Sequence, residues 1–215
     1  MVIKDNDFVK IEFTGTIKET GKVFDTTSKE VAQNYKLDPK AKYGPATICI
    51  GRGHIFRKIE EAIKTSEIGK EITLELNAED AFGKKQAKLI NTLPTSAFRK
   101  EKINPVVGLN VTVNDKWGVI RTVNGGRCMV DFNHPLSGKA LIYDVKILEK
   151  VEDDKEKVSH IIITELMIDN FTLAEKEGIM NVTFHEKIAK LLTDEMKKVL
   201  VNKIKEITGI IVKIK

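Results

Sequence analysis

Cysteine and long apolar runs are the scarcest features of this 215-residue chain. Its two cysteines, Cys49 and Cys128, are far apart and form no CxxC pair. Free thiols in a reducing cytoplasm are the favoured interpretation, and a single Cys49–Cys128 disulfide stays open as the alternative. No apolar run reaches the roughly 18–20 residues of a membrane span. The start, MVIKDNDFVKIEF, lacks the apolar stretch of a secretory signal. We therefore expect a cytoplasmic protein.

Metal ligands and catalytic nucleophiles are also sparse. The four histidines, His54, His134, His160 and His185, are scattered and have no obvious Ser or Cys partner. No His follows His185, and the tail beyond it contains no Cys. The sequence therefore predicts no metal site and no cofactor.

The positive charge is concentrated in one segment. The chain has a formal net charge of +5, whereas residues 85–130 carry 8 Lys/Arg against 2 Asp/Glu, so this segment holds +6 and the rest sums to −1. The basic residues are Lys85, Lys88, Arg99, Lys100, Lys102, Lys116, Arg121 and Arg127. Such a segment is either a solubilising surface or a binding site for RNA or the ribosome.

Strand-like patterns occur both before and after this basic segment. FVKIEF (8–13), ATICIG (46–51) and KEITLEL (70–76) predict strands, and HIFRKIEEAIKT (54–65) predicts a short helix. ALIYDVKI (140–147) alternates like a further strand of the same sheet. We therefore expect residues 1–84 and 131–152 to form one discontinuous domain, interrupted by an inserted domain at 85–130.

The insert shows short β segments separated by turns. AKLINTLPTSAF, GLNVTV, WGVIRTV and RCMVDF predict strands, with turns at NDKWG and VNGG. This small β unit is also similar to the SH3-like barrels of ribosomal and transcription proteins.

The last part of the chain, 153–215, predicts a C-terminal α+β domain. EDDKEK (152–157) is interpreted as a charged linker, SHIIITELMI and IMNVTF as strands, and IIVKIK as a final strand. A long helix is predicted from about His185 to Ile207, with Thr183 and Glu186 as a capping box and Gly209 as its stop. A unit of this size buries little surface and leaves strand edges open, so it should pair with a second copy or dock on the main domain; an independent appendage is the alternative.

Four segments carry a resemblance to a known family: IEFTGTIKETGKVFDTT (11–27), ICIGRGHIFRKIEEAI (48–63), EDAFG (79–83) and NHPLSGKALIYDVKIL (133–148). Together they resemble FKBP-type peptidyl-prolyl cis/trans isomerases of the SlyD-like branch, which carry an insert-in-flap domain, in the long archaeal form. The resemblance implies an α+β fold: a twisted antiparallel sheet wrapped on a short helix, a small β-rich insert and a C-terminal α+β domain.

The resemblance also implies an apolar pocket that shelters a substrate proline. Asp25, Phe82 and Tyr143 match positions implicated in catalysis, with Phe24 and Asp25 as the family's FD pair. The residues implied to bind substrate are Phe13, Phe24, Ala46, Ile55, Phe56, Ile59 and Leu136. Where the family usually has Tyr at positions 13 and 82 and often Trp at 59, this chain has Phe, Phe and Ile. We therefore expect an apolar pocket with few hydrogen-bond donors, poor macrolide affinity and low but real activity.

The implied function is a folding helper that isomerises X–Pro bonds in non-native chains. In the SlyD-like branch the insert captures extended segments, a role that exposed apolar side chains and sheet edges can perform. The residues proposed for that surface are Leu89, Ile90, Leu93, Phe98, Val106 and Val107, at least half of which should fill the insert's own core. The alternatives are a non-catalytic holdase with a degenerate pocket and an RNA- or ribosome-associated protein. The expected partners are unfolded proline-containing polypeptides, and a second copy bound through the C-terminal domain.

Overall fold

The computed structural model describes residues 2–214, which divide into two compact units. The first unit comprises the chain up to Gly15, Val23–Leu74 and everything from Tyr143 onward. The second unit comprises Thr16–Lys22 and Glu75–Ile142. The two are described separately.

The first unit is built on an antiparallel sheet of five strands. The strands are β1 (Phe8–Ile17), β2 (Lys22–Thr26), β3 (Ala46–Cys49), β4 (Glu71–Leu76) and β9 (Leu141–Lys150). Their order is β2-β1-β9-β4, and β3 pairs with the start of β1 from Phe8 to Ile11. The predicted strands at 8–13, 46–51, 70–76 and 140–147 are therefore confirmed.

Two helices accompany this sheet, α1 (Lys29–Asn34) and α2 (Arg57–Thr65). In α2, Ile59 and Ile63 are fully buried, four residues apart on one face. This confirms the predicted amphipathic helix from Arg57 to Thr65, whereas His54, Ile55 and Phe56 precede it.

The C-terminal part contains helices α4 (Asp154–Leu166), α5 (Glu186–Ala189) and α6 (Asp194–Thr208). The prediction of a strand in SHIIITELMI was wrong, because this segment belongs to α4. The side chain of Asp153 caps α4 by accepting hydrogen bonds from the backbone N–H groups of Lys155 and Glu156. The segment interpreted as a linker is therefore the cap and first turn of this helix. The buried side chains of α4 are Val158, Ile161 and Ile162, which recur at helical spacing. This period favours a helix and outweighs the strand preference of the β-branched residues.

The long helix predicted from about His185 to Ile207 is also wrong, since α5 and α6 are separate helices. Thr193, rather than Thr183, accepts from the backbone N–H of Met196 and starts α6, while Thr183 lies in a strand. Gly209 ends α6 in the left-handed conformation at φ +75°, as predicted.

Three strands complete the C-terminal part: β10 (Phe171–Lys176), β11 (Ile179–Phe184) and β12 (Val212–Ile214). β10 and β11 pair antiparallel, and β12 adds parallel to β11. The strand predicted in IMNVTF is confirmed, and that in IIVKIK is confirmed at Val212–Ile214, while Lys215 lies outside the described residues. The apolar core of this part also includes Phe8 and Cys49 of the first sheet. Because Phe8 and Val9 are both buried, β1 is covered on both faces at its start.

The second unit contains the strands β5 (Ile90–Pro94), β6 (Asn110–Val113), β7 (Lys116–Asn124) and β8 (Arg127–Asp131), and the helix α3 (Thr95–Lys100). The sheet order is β5-β8-β7-β6 and every pair is antiparallel. Two-residue turns with positive φ join β6 to β7 at Asn114 and Asp115, and β7 to β8 at Gly125 and Gly126. Both turns were predicted. The strand predicted in AKLINTLPTSAF is confirmed only for Ile90–Pro94, because Ala87–Leu89 form a 3₁₀ turn and Thr95 begins α3.

Candidate functional site

Tyr143 is the centre of an aromatic cluster in the first unit. It lies on β9, and only 3% of its surface is exposed. The centroid of its ring is 5.9 Å from that of Phe13, 5.9 Å from that of Phe24 and 5.8 Å from that of Phe56. Phe24 and Phe56 meet it edge-on, at interplanar angles of 78° and 79°. Four sequence-predicted site residues from separate parts of the chain are therefore in contact.

Sheet order and side-chain alternation explain this convergence. β1 lies between β2 and β9, so Phe24, Phe13 and Tyr143 come from three adjacent strands. Phe56 is the residue immediately before α2. Gly15 provides the room, because a Cβ there would lie 2.8 Å from Cζ of Phe24 and 3.1 Å from Cζ of Tyr143. The two rings therefore lie directly over the backbone of β1.

Two threonines fix the backbone of Phe13. The Oγ of Thr27 accepts a hydrogen bond from the Phe13 N–H at 2.9 Å, and the Oγ of Thr26 donates to the Phe13 carbonyl at 3.1 Å. Both threonines are buried. Sequence reasoning did not assign them a role, although they directly follow the FD pair.

Asp25 lies beside this cluster. Much of its surface is open to solvent, but burial of the remainder raises the pKa of its carboxyl group, and a hydrogen bond from the Thr26 N–H partly offsets this rise. Burial also raises the pKa of the Tyr143 phenol, and the charge of Asp25 raises it further. Tyr143 therefore stays a neutral hydrogen-bond donor beside a carboxylate.

The other site residues of the first unit flank the cluster. Ala46 begins β3 opposite Ile11, and Ile55 precedes Phe56; both are half-buried. Ile59 is fully buried in α2. Its side chain is therefore part of the hydrophobic core on that side of the helix.

Phe82 and Leu136 belong to the second unit, where His134 connects them. The Phe82 ring stacks on the His134 ring at a centroid distance of 4.3 Å and an angle of 10°. The Leu136 N–H donates to His134 Nδ1 at 3.2 Å, and the Ser137 hydroxyl donates to the Phe82 carbonyl at 3.0 Å. The NHPLSG turn thus holds Phe82 at both its ring and its backbone.

The six residues proposed for a capture surface on the insert divide by exposure. Phe98 is buried in the insert's core and is not available on the surface, whereas Leu93 packs against that core and is half-buried. Placing Phe98 on the surface was wrong, because its position in α3 turns the ring towards the sheet. Leu89 and Ile90 are half-buried. Val106 and Val107 are 50% and 66% exposed.

A buried carboxylate joins the two chain segments at the base of the insert. Asp131 accepts from Lys85 Nζ at 2.9 Å, from Arg121 Nε at 3.3 Å and from Asn133 Nδ2 at 2.8 Å. Asn133 also accepts from the Gln86 N–H at 2.8 Å. Burial alone would raise the pKa of Asp131, but the hydrogen bonds from Asn133 and Lys85 outweigh it and hold the pKa well below its ordinary value.

Other functional features are missing from the part of the chain that the structure describes. Residues 2–214 contain no group of three or more His, Cys, Asp or Glu side chains arranged to hold a metal ion. Within the same range, no helix has the length and apolar character needed to cross a membrane. Both cysteines are free and buried, and burial raises the pKa of the Cys49 thiol to about 11.

Comparison with known proteins gives one family match and several relatives. Residues 91–136 match the family described as the IF domain of FKBP26. A short-type peptidyl-prolyl cis-trans isomerase of Methanocaldococcus jannaschii is 31% identical over 147 residues, which is 68% of this chain and 92% of that protein. A probable FKBP-type 16 kDa isomerase of Pseudomonas fluorescens is 33% identical over 118 residues, 53% of this chain and 77% of its own.

The SlyD branch is represented as well. The FKBP-type isomerase SlyD of Helicobacter pylori is 26% identical over 133 residues, 60% of this chain and 72% of that protein. The family match over the insert and the similarity to the archaeal relative indicate the same family, and the aromatic cluster is consistent with it. This chain belongs to the FKBP-type peptidyl-prolyl cis-trans isomerase family and carries an insert-in-flap domain.

Proposed function

We propose that this chain isomerises X–Pro peptide bonds at the site around Tyr143 and Asp25, while its inserted domain holds the unfolded polypeptide. The observation that carries the proposal is the contact of Tyr143 with three phenylalanine rings from separate segments. A proline ring is apolar and flat, and aromatic walls of this kind suit it.

The reaction needs no covalent step. Rotation about the X–Pro bond is slow because amide resonance resists it, with a barrier of roughly 18–20 kcal/mol. The twisted amide is less charge-separated than the planar one, so a site poor in water favours it. Each ~1.36 kcal/mol of such preference accelerates the reaction tenfold. The aromatic cluster supplies the apolar surroundings.

Within this proposal, Asp25 and Tyr143 act directly on the reacting amide. The carboxylate of Asp25 opposes residual positive charge at the carbonyl carbon. The hydroxyl of Tyr143 forms no hydrogen bond with any other residue among 2–214, and it keeps its proton at neutral pH. It is therefore available to donate to a substrate carbonyl. Since Phe occupies positions 13 and 82, Tyr143 supplies the hydroxyl that those positions lack.

The remaining residues are proposed to shape the site. Phe82 adds an aromatic edge whose C–H groups contact a substrate carbonyl, and it is assigned with Asp25 and Tyr143 to catalysis. The side chains proposed to bind the substrate are Phe13, Phe24, Ala46, Ile55, Phe56, Ile59 and Leu136.

The insert is proposed to capture non-native chains through Val106 and Val107. These neighbouring valines are exposed, and they lie in the loop between α3 and β6. Exposed apolar pairs of this kind bind extended chains with little sequence preference. Leu89 and Ile90 extend the proposed surface. Phe98 and Leu93 support it from the core.

We further propose that the C-terminal part pairs with a second copy. Five large apolar side chains of α4, α6 and the segments after α4 and α5 are exposed in the single chain: Ile163, Met167, Leu191, Met196 and Val199. Burial of these side chains between two copies would remove them from water. A solution mass of one chain at all concentrations, unchanged by Val199→Asp, would contradict the pairing.

Free thiols at both cysteines are consistent with the cytoplasmic setting that we propose.

Two assays on the full chain separate catalysis from holding. In the first, a short X–Pro peptide is followed for cis/trans exchange; in the second, a protein whose refolding is limited by proline isomerisation serves as substrate. We expect acceleration in both assays, and we expect Val106→Ser/Val107→Ser to slow only the second. Absence of acceleration in the peptide assay, with aggregation of the protein substrate still suppressed, would leave a non-catalytic holdase.

A further inference from the structure

The loop between β3 and α2, residues 50–56, ends with two of the proposed substrate-binding residues. These are Ile55 and Phe56, and the ring of Phe56 contacts that of Tyr143 at a centroid distance of 5.8 Å. Within residues 2–214, the backbone of residues 51–55 forms no hydrogen bond with another backbone group. The shape of this loop therefore depends on contacts with side chains, and these contacts decide where Ile55 and Phe56 lie.

Two side-chain contacts hold the loop to the elements on either side of it. The Gly53 N–H donates to Oε1 of Glu60 at 3.2 Å, and Glu60 is a buried residue of α2. The Cys49 N–H, at the end of β3, donates to His54 Nδ1 at 3.0 Å. Because His54 directly precedes Ile55, a shift of its ring would displace the start of the substrate-binding pair.

His54 is also bonded to the C-terminal part of the chain. Nε2 of His160, on α4, lies 3.1 Å from His54 Nδ1. Since His54 Nδ1 accepts from the Cys49 N–H, it carries no proton, so His160 Nε2 is the donor. The His160 ring is itself fixed by an edge-on contact with Phe8 at 5.7 Å. A helix of the C-terminal part thus donates a hydrogen bond to the residue that precedes Ile55.

A second bond to the C-terminal part lies near the surface and is weaker. The guanidinium of Arg52 donates to Oε1 of Glu206, on α6, at 3.2 Å, but the Glu206 side chain is 68% exposed. Exposed ion pairs of this kind contribute little. A cavity of about 300 Å³ is lined by residues of the loop, α4 and α6, so close packing alone does not fix the loop against these helices. The bond from His160 is therefore the main directed contact between them.

We propose that His160 is a positioning residue for the isomerase site. Its hydrogen bond to His54 holds the loop in the conformation that presents Ile55 and Phe56 to the substrate proline. This inference rests on the proposed isomerase activity, and it gives the C-terminal part an effect on substrate binding that is separate from pairing with a second copy. Because the contact shapes the binding surface and does not touch the reacting amide, its loss should raise KM more than it lowers kcat.

The test measures kcat and KM of the full chain for a short X–Pro peptide. His160→Phe keeps a ring against Phe8 but removes the donor. We expect KM to rise about three- to tenfold, the effect of one hydrogen bond, with kcat changed by less than about twofold. His160→Gln supplies an amide N–H near the position of the imidazole Nε2–H, so its KM should return to within about twofold of the parent value.

A matched control comes from the same helix. Val158 is fully buried in the C-terminal core, so Val158→Ala lowers stability without removing the donor to His54. Its KM should stay within about twofold of the parent value. Urea unfolding confirms that each variant is folded at the assay temperature.

Three results would overturn the proposal. The first is an unchanged KM in the His160→Phe variant. The second is a KM in His160→Gln that rises as much as in His160→Phe. The third is an equal rise in Val158→Ala, which would show that any loss of C-terminal packing has the same effect.

A second measurement does not require catalysis. Amide hydrogen exchange at Cys49, whose N–H donates to His54, should be about three- to tenfold faster in His160→Phe than in the parent chain. A parent chain that does not isomerise the peptide would contradict the proposed function. Unchanged exchange at Cys49 would contradict the positioning role, whether or not the chain is active.

Discussion

The ring of Phe24 meets the ring of Tyr143 edge-on directly above Gly15. The ring centroids are 5.9 Å apart, and a methyl group on Gly15 would approach both rings within about 3 Å. The absence of a side chain at this glycine, in the TGT segment, therefore allows the two rings to lie against the backbone of β1. Small changes at this position test whether ring placement controls activity.

Replacement of Gly15 by alanine should lower kcat/KM for a short proline peptide about tenfold. The added Cβ would displace Phe24 and Tyr143, and overpacking of this kind costs about 1–3 kcal/mol. The measurement is peptide isomerisation together with urea unfolding. Glu12→Ala, an exposed substitution on the same strand, is the control. Unchanged activity of the Gly15 variant would show that ring placement does not matter.

Replacement of Tyr143 by phenylalanine tests the hydroxyl alone. The ring contacts are retained while the proposed donor is lost, so we expect kcat to fall about tenfold with KM nearly unchanged. Stability should change little, because the hydroxyl bonds no other residue among 2–214. Equal activity of this variant and the parent would remove Tyr143 from catalysis.

Thr27 should act as a positioning residue. Thr27→Val removes the oxygen that accepts a hydrogen bond from the partly buried Phe13 N–H, which should cost about 1–3 kcal/mol of unfolding free energy. If Phe13 shifts, kcat should fall as well. Thr27→Ser keeps the hydroxyl and should recover both quantities. A serine variant as impaired as the valine variant would show that the methyl group matters instead.

Acid should destabilise the first unit through a pair of histidines. His160 Nε2 lies 3.1 Å from His54 Nδ1, which also accepts from the Cys49 N–H at 3.0 Å. Burial lowers the pKa of His54, and burial together with the neighbouring His54 lowers the pKa of His160 to about 4. The charged groups that act on the pair are Arg52, Glu60, Glu156, Glu165 and Lys203.

Because both folded-state pKa values lie below the unfolded value of about 6.5, the histidines are neutral in both states above that pH. As the pH falls below about 6.5, only the unfolded chain takes up protons, so stability declines towards pH 4. His160 alone should account for about 2 kcal/mol between pH 7 and 5. Urea unfolding at both pH values checks this. His160→Gln should flatten the dependence and His185→Gln, at an exposed position, should retain it.

The elements of the first 84 residues and of the insert were largely predictable, because their strands alternate and their turns carry glycine or asparagine. The segment 154–166 was not, since Ile161, Ile162 and Ile163 form a β-branched run and the cap at Asp153 was interpreted as part of a linker. The family resemblance assigned Phe13, Phe24, Phe56 and Tyr143 to one pocket, and the rings of the three phenylalanines contact that of Tyr143. The threonine contacts to Phe13 and the His54–His160 pair depend on three-dimensional proximity, for which no local pattern exists.

The burial of Phe8 has a consequence for how chains of this family can vary in length. Its side chain lies on the opposite face of β1 from the one that carries Phe13 and Gly15, within the core formed by Val158, Ile162 and Ile204. In a chain that stopped at residue 152, this phenylalanine would be exposed to water on an apolar sheet face, and such a face would favour self-association. Relatives that lack a C-terminal extension should therefore have a polar residue at the equivalent of Phe8, so the two ends of the molecule are expected to change together in evolution.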